Sequence, residues 1–421
     1  MTVVEQTPKE VEIRRSVSTW LKSHWSTECG LIEWRNKLID SGWGVPHWPV
    51  TWFGQNLSNN LIAVIDEEFD RIGAVGVART GIRMLAAATL LEHGSDMQKS
   101  RFLRRILTGE DTWCQLFSEP GSGSDLAAAT TRADFDGEKW IINGQKVWTT
   151  NAHHADWALL LARTDWDLPK HQGLSYFVVD MTQPGIDIQP LRQMNGHKSF
   201  NQVFFTDATV SAEHLIADIG DGWKIAMTTL AHERRGADAL RRWEQVPKHS
   251  GHIYDEERAE ISTAMEPYKW YPQRAGRVDL ILPQARKTGH INDPVSRQEI
   301  AKLLMLSQAS QWTAERARAA QKLGNPQGPE GSLGKLAASH IARAASAVHT
   351  LIAGADSMLS GSDAPLEGVI AEILLSVPAT SIAGGTDEIQ RNIIAERVLG
   401  LPKEPRVDTG PFHNVAKNPI R

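Results

Sequence analysis

Apolar residues in the first hundred positions recur at the spacing of helix faces. Ile13, Val17, Trp20 and Leu21 share one face behind a start signal in which Thr7 caps, Pro8 takes the first helical position and Glu10 completes a capping box. Leu61, Ile62, Ile65, Phe69 and Ile72 form a second stripe, and Met84, Leu85, Leu90 and Leu91 a third. From about Trp113 the period shortens to two. Trp140-Ile-Ile-Asn-Gly-Gln-Lys-Val-Trp148 alternates about Asn143-Gly144, a dipeptide that closes hairpins, and Trp157 to Ala162, Tyr176 to Asp180 and Val203 to Thr206 read as further strands. Helical periodicity returns at Gly222 and runs through the Ala-rich stretch Leu333 to Ile352, whose small residues permit close helix packing, with a loop at Asn325 to Gly331. The pattern predicts an α-helical domain over residues 1–112, a β-domain over 113–220 and a second α-helical domain over 221–421.

Composition narrows what such a chain can do. The 421 residues suffice for two or three cores, and 41% hydrophobic with 23% charged residues is an ordinary globular balance. Net charge is −5 with no long Lys/Arg run, so the electrostatic footprint of a nucleic-acid binder is absent. Cys29 and Cys114 are too few for a disulfide framework or a zinc site, and no metal is expected; a reducing cytoplasm fits. The N-terminal residues lack the basic start and apolar core of a signal peptide, and no run reads as a membrane span.

The densest polar segment is Phe117-Ser-Glu-Pro-Gly-Ser-Gly-Ser-Asp125, where glycines allow close backbone approach and hydroxyls offer donors to a ligand; an exposed turn capped by Asp125 is the plainer reading. Trp148-Thr-Thr-Asn151 sets an aromatic plane beside hydroxyls, suited to covering a flat heterocycle, or else a buried core tryptophan.

These segments, in the order Phe117–Asp125, then Ile142-Asn-Gly-Gln-Lys-Val-Trp148, then Ile382-Ala-Gly-Gly-Thr-Asp-Glu-Ile-Gln-Arg391, resemble the acyl-CoA dehydrogenase family. The likeness extends from Gly42-Trp-Gly-Val-Pro46 through Phe200-Asn-Gln-Val-Phe204 to Ala395-Glu-Arg-Val-Leu-Gly400. It implies an α+β multidomain fold: an N-terminal α-helical domain, a middle β-barrel or sandwich, and a C-terminal four-helix bundle. It also implies FAD, contacted by Gln115, Phe117, Ser118, Gly123 and Ser124, with Trp148 and Thr150 beside the ring. Arg286 and Thr288 resemble the segment that holds the pyrophosphate of a neighbouring subunit's FAD, though the phenylalanine usual before the glycine is absent. Gly354 resembles the approach to the adenosine half, and Thr386 and Glu388 fall in the C-terminal flavin-side motif. Ser124, Arg234 and Gly384 take substrate-side positions in the same comparison.

The implied reaction is α,β-desaturation of an acyl-CoA, and it needs a carboxylate base. Many members place a glutamate where this chain has Gly384. Others carry it on a helix before an arginine, which Glu233 in Leu230-Ala-His-Glu-Arg234 matches; an apolar, flavin-covered cavity would raise its pKa. The alternatives at that position are a surface Glu-Arg ion pair and His232 as base. Between Arg234 and Arg286 the chain is longer than the family's usual helix, with an insertion around residues 243–280 where Trp243 to Gly251 breaks the pattern. Tyr254, Tyr268, Trp270 and Tyr271 in it suit a substrate cavity, a subunit contact or a solvated excursion. The resemblance implies an electron-transfer flavoprotein as acceptor and a homodimer or homotetramer. Gly384 keeps two alternatives open: a flavin-dependent monooxygenase of the same fold, and a base-deficient subunit of a heteromer.

Overall fold

The computed structural model describes residues 7–79, 81–240, 249–322, 330–405 and 408–415, without the side chains of 234–240, 321–322 and 330. Most of the Trp243 to Gly251 break and of the Asn325 to Gly331 loop therefore lies outside the described residues, as does the Arg234 side chain. The chain forms two compact units, residues 1–191, 199–267 and 408–421 in one and residues 192–198 and 268–407 in the other.

The first unit opens with five helices, α1 Pro8–His24, α2 Leu31–Ser41, α3 Ile62–Ile72, α4 Arg83–His93 and α5 Asp96–Thr108. Thr7 and Glu10 do close a capping box on α1: the Glu10 amide donates to Thr7 Oγ1 at 3.3 Å and the Thr7 amide to Glu10 Oε2 at 2.7 Å. Val17, Leu21, Trp34, Leu38, Phe102 and Ile106 pack as one core, and the Trp34 indole donates to the Val75 carbonyl at 2.6 Å, so the ring's polar atom is not left bare inside it.

Eight strands follow: β1 Trp113–Leu116, β2 Arg132–Phe135, β3 Lys139–Thr150, β4 Trp157–Arg163, β5 Leu174–Asp180, β6 Ile186–Leu191, β7 Phe200–Ser211 and β8 Leu215–Ile216. They form one mixed sheet in the order β6-β7-β3-β2-β4-β5-β8, with β1 lying parallel along β4. β4 is buried on both faces, which is why it is apolar throughout: Leu159 and Leu161 face the helical core, while Ala158, Leu160 and Ala162 face a second core with Phe177, Val179 and Val203.

Asn143-Gly144 does not turn the chain, contrary to the sequence expectation. Both residues lie inside the continuous β3, and the hairpin between β2 and β3 is closed by Asp136 and Gly137 instead, the Asp136 carboxylate accepting from the Glu138 and Lys139 amides. Asn143 faces a bulge at Asp207 on β7; its side chain accepts from the Asp207 amide at 3.0 Å and donates to the Asp207 carboxylate at 2.9 Å. Gly144 stands at φ 147°, and a Cβ there would lie 2.8 Å from Thr131. The dipeptide serves close strand contact rather than reversal.

After the sheet come α6 Gly222–Leu240 and α7 His252–Met265. The part of the insertion in α7 is not a solvated excursion. Ile253 and Tyr254 join the core of Val17, Leu21 and Trp34, the Tyr254 hydroxyl donates to the Gly73 carbonyl at 2.6 Å, and Glu256 accepts from the Leu31 amide at 2.6 Å. Glu260 bridges the guanidinium groups of Arg35, at 2.6 Å, and Arg83, at 2.9 Å, both nearly removed from solvent. Two buried cations on α2 and α4 thus meet one carboxylate from α7.

The second unit holds α8 Tyr271–Arg274, α9 Ile281–Thr288, α10 Pro294–Lys322, α11 Glu330–Ala353, α12 Val369–Ser376, α13 Pro378–Ile382 and α14 Asp387–Arg397. Ala342 and Ala345 of α11 are fully buried, Ala345 against Ile281, Ile300 and Leu303, and Ala342 against Ile373 and Val377. In this unit Trp270 is buried, packed edge-on against Tyr271, and Arg274 lies over the Tyr271 ring at 4.9 Å. Residues 365–397 contain an 18-residue stretch with the mean hydropathy, 1.5, of a membrane-crossing segment, which the sequence reading did not anticipate. They are broken at Pro378 and at Gly384 and Gly385, both at positive φ, into three short helices, and Ile370, Ile373 and Val377 pack inside the unit.

Glu260→Ala leaves Arg35 and Arg83 buried without their carboxylate, and the unfolding free energy in a urea titration should fall by about 3 kcal/mol, the usual cost of stripping one partner from a buried ion pair.

Candidate active site

Seven of the residues singled out for flavin contact stand around one end of β1 and β3. Gln115 pairs in parallel with Leu159 one residue before β1 ends, and Phe117, buried, sets its ring edge-on to Tyr176 at 5.8 Å. The β3–β7 register moves from Lys146↔Val203 to Thr149↔Asn201, so Val147 and Trp148 together oppose one residue of β7. This bulge frees the Val147 amide to donate to the Ser118 carbonyl at 2.9 Å, joining the end of β3 to the loop that follows β1. Trp148 takes φ 64°, a costly conformation for a bulky residue, and leaves 56% of its surface exposed with its ring edge on Phe200 at 5.8 Å. It is not a core tryptophan. Thr149 is buried beside it and Thr150 half-buried.

Beneath this surface lies an ion pair that the sequence reading passed over, although both residues fall within its motifs. Lys146 Nζ donates to Glu119 Oε1 at 2.8 Å and to the Phe117 carbonyl at 2.9 Å, and both side chains are buried. Glu119 also accepts from the Thr130 amide and hydroxyl and from the Thr131 amide, at 2.7 to 2.8 Å. Burial alone would raise the Glu119 pKa, but the Lys146 charge and these hydrogen bonds outweigh it and hold the carboxyl at about 2. Burial lowers the Lys146 pKa against the pull of Glu119. Glu119 and Ser122 pair through their backbones, leaving Gly121, Gly123, Ser124 and Asp125 exposed on the loop. Asp125 does not cap the following turn; both of its oxygens accept from Lys170 Nζ.

The hydroxyls of Ser122 and Thr149 are buried with no hydrogen-bond partner among the described residues. Unpaired hydroxyls beside an exposed indole and an open glycine loop fit a flat ring with hydrogen-bonding edges, the kind of group FAD would present.

Glu233 lies on α6 in the same unit and is exposed among the described residues. It stands one turn beyond Thr229, whose hydroxyl is 2.9 Å from that of Tyr176 and 2.8 Å from that of Thr89, all three buried. The Tyr176 hydroxyl is pushed up by burial, with the Glu233 charge adding to the shift. Phe117, Tyr176 and Thr229 thus link the loop after β1 to the helix turn that carries Glu233. His232 is turned to Glu92, 3.6 Å from Nε2, on α4.

The remaining residues belong to the second unit. Arg286 is exposed on α9, and the exposed Thr288 donates to the Gln284 carbonyl at 2.9 Å. Gly354 is exposed at φ 59° where α11 ends. Gly384 and Gly385 precede Thr386, which caps α14 by accepting from the Ile389 amide at 3.2 Å, and Glu388 pairs with Arg391. A Cβ on Gly384 would meet nothing within 4 Å, so only its φ of 69° opposes a larger side chain. Buried Asp387 holds this motif to α11 through Lys335 at 3.5 Å and Arg343 at 2.9 Å; burial would raise its pKa, yet a Ser339 hydrogen bond and the two cations leave it lowered.

Comparison with known proteins bears on the family of the chain. Residues 8–110, 114–208 and 282–399 match the models described as acyl-CoA dehydrogenase N-terminal, middle and C-terminal domains. Acyl-CoA dehydrogenase IpdE1 of Mycobacterium tuberculosis is 34% identical over 382 residues, covering 89% of this chain and 88% of its own. Acyl-CoA dehydrogenase FadE34 of the same organism is 35% identical over 370 residues, covering 87% of this chain and 46% of its own. Among solved structures, the ChsE4–ChsE5 complex from Mycobacterium tuberculosis matches with a TM-score of 0.63 at 24% identity, over 96% of this chain and 100% of that one, a likeness of fold alone.

The Glu119 carboxyl, depressed from 4.5 to about 2, contributes stability that is present above pH 4.5 and is lost as pH falls towards 2. Urea melts at pH 6 and pH 3 should show this acid loss in the native protein. Lys146→Met should cost about 3 kcal/mol at pH 6, because it leaves a buried carboxylate unpaired, and should lose much less on acidification.

Proposed function

The chain belongs to the acyl-CoA dehydrogenase family, flavin-dependent oxidoreductases, and on that premise we propose that it binds FAD and desaturates an acyl-CoA thioester between Cα and Cβ. The observation that carries the reading is the exposed Trp148, held at positive φ beside the buried unpaired hydroxyl of Thr149. Bound FAD supplies the acceptor, at N5, for the hydride that leaves Cβ. The chain's residues bind and orient. Trp148 and Thr150 flank the ring, Gln115, Phe117, Ser118, Gly123 and Ser124 contact the flavin, and Ser124 also meets the substrate. Arg286 and Thr288 serve the pyrophosphate of a neighbouring subunit's FAD, Arg286 as a planar cation against a dianion, Gly354 serves the adenosine half, and Thr386 and Glu388 the flavin side.

Glu233 takes the α-proton in this reading. Its position one turn from the Thr229–Tyr176–Thr89 hydrogen bonds ties the carboxylate to the strand that carries Phe117's neighbour, so base and ring share one rigid support. Arg234 and Gly384 hold the positions that the family likeness assigns to the substrate. Electrons pass on to an electron-transfer flavoprotein, the protein works as a homodimer or homotetramer, and the reaction takes place in the cytoplasm.

A second reading is favoured by one specific observation: Gly384 stands where a base is common, and Glu233 is exposed. The chain would then be the base-deficient member of a heteromer, in keeping with the complex of ChsE4 with ChsE5 among its structural relatives.

Anaerobic titration of the flavin-loaded protein with short, branched, aromatic and polycyclic acyl-CoAs should bleach the oxidised flavin absorbance with at least one thioester. Glu233→Gln should slow that bleaching by about 100-fold or more, the usual contribution of a positioned general base, while FAD binding is kept. Bleaching as fast as in the native protein would refute Glu233 as base. No bleaching until a second, co-purifying chain is added would favour the heteromer, and oxygen consumption with a nicotinamide-reduced flavin supply would favour a monooxygenase.

A further inference from the structure

The chain returns to the first unit at Asp408, and the segment 408–415 lies along the β-domain. Pro411 bridges to Pro169, the Phe412 amide donates to the Leu168 carbonyl at 3.0 Å, and the His413 amide donates to the Trp166 carbonyl at 3.1 Å. Phe412 is 1% exposed, and its ring takes the Arg163 guanidinium at 3.5 Å from its centroid. Arg163 is fully buried, and no carboxylate among the described residues pairs with it. Its N–H groups go instead to the carbonyls of Ala127 at 2.7 Å, Ala129 at 3.0 Å and Lys170 at 3.2 Å. The face of Phe412 completes the shell around this cation.

A second cation makes the same link. Lys170 Nζ donates to both oxygens of Asp125, at 2.8 and 2.7 Å, and forms an ion pair with Asp408. Asp125 directly follows Gly123 and Ser124, while Ala127 and Ala129 lead to Thr130 and Thr131, which hold Glu119. The stretch that leaves the glycine loop, from Asp125 to Ala129, is therefore tied to two cations, and each cation also meets the segment 408–415.

We propose that this segment is a positioning element for the cofactor loop: Phe412 on Arg163 and Asp408 on Lys170 set the conformation of residues 119–129, and with it the affinity for flavin. The inference rests on the flavin-binding reading given above. A packing strip with no such role would stabilise the fold and leave the loop's order and the flavin affinity where they were.

The test combines amide hydrogen exchange, followed by mass spectrometry, with FAD titration of the deflavinated full chain. Asp408→Asn and Phe412→Ala should each speed exchange at residues 119–129 relative to α5 and weaken FAD binding by about tenfold, the scale of one lost charge-assisted contact. Phe412→Tyr, which keeps the ring face, should restore both. Should Phe412→Ala fail to fold, Asp408→Asn carries the test, since it removes one charge and keeps the side chain's size. Unchanged exchange in the loop overturns the proposal. Faster exchange with unchanged FAD affinity overturns it too. A native chain that takes no FAD, while its loop still responds to Asp408→Asn, refutes the flavin reading and leaves the mechanical coupling standing.

Discussion

One buried ion pair sets the geometry on which the candidate site depends. Lys146 sits in β3 two residues before Trp148, Glu119 in the loop that follows β1, and their contact at 2.8 Å fixes the two chain segments against each other inside the protein. Burying two charges is expensive, and the cost is offset only where further hydrogen bonds satisfy the groups around the pair. Here the matching is done by Thr130, Thr131 and the Phe117 carbonyl, which are the backbone positions that must be held if a ring is to lie over Trp148. The polar requirement of the pair and the shape requirement of the site are met by the same atoms. That is a reason for an ionic anchor where an apolar one would pack as well: it specifies an angle, through directional bonds, and not merely a contact.

Much of the architecture was legible in the chain. The Thr7–Glu10 box, the helical stripes, the change of period near Trp113 and the apolar run of β4 are local signals, and the structure realises each of them. What failed was local chemistry overruled by distant partners. Asn143-Gly144 carries a strong turn signal, but its conformation is decided by Asp207, 64 residues away, and by Thr131 crossing above the glycine. The insertion was ambiguous for the same reason. Nothing near Glu260 in the sequence announces that its partners are Arg35 and Arg83, so a helix that completes the N-terminal core reads, residue by residue, like an exposed one.

The site was legible to a similar degree and for the same causes. The loop Phe117–Asp125 and the strand end at Trp148 are contiguous motifs, so their residues could be named directly. The pairings that hold them could not, since Glu119 and Lys146 stand 27 positions apart and Arg163 meets Phe412 across nearly 250. Trp148 was ambiguous between core and ligand surface because hydrophobicity alone does not distinguish them. Its exposure follows from a bulge, and a bulge is set by the registry of two strands.

The base poses a different problem, one of solvation more than of position. A carboxylate that removes a weakly acidic α-proton must lose water on the way to the transition state, or its charge remains too well stabilised to act. Glu233 is exposed, and the rigid part of its surroundings, Thr229, Tyr176 and Thr89, lies a turn away and is already satisfied by its own hydrogen bonds. If Glu233 is the base, the apolar cover has to come from what binds over it, the ring on one side and the acyl chain on the other. Catalysis is then gated by occupancy: until both are seated, the carboxylate stays hydrated and weak. A base at position 384 would have been carried instead on a glycine-flexed turn, with open space around its Cβ. A carboxylate in the middle of a helix, as Glu233 is on α6, would exchange that freedom for a fixed direction.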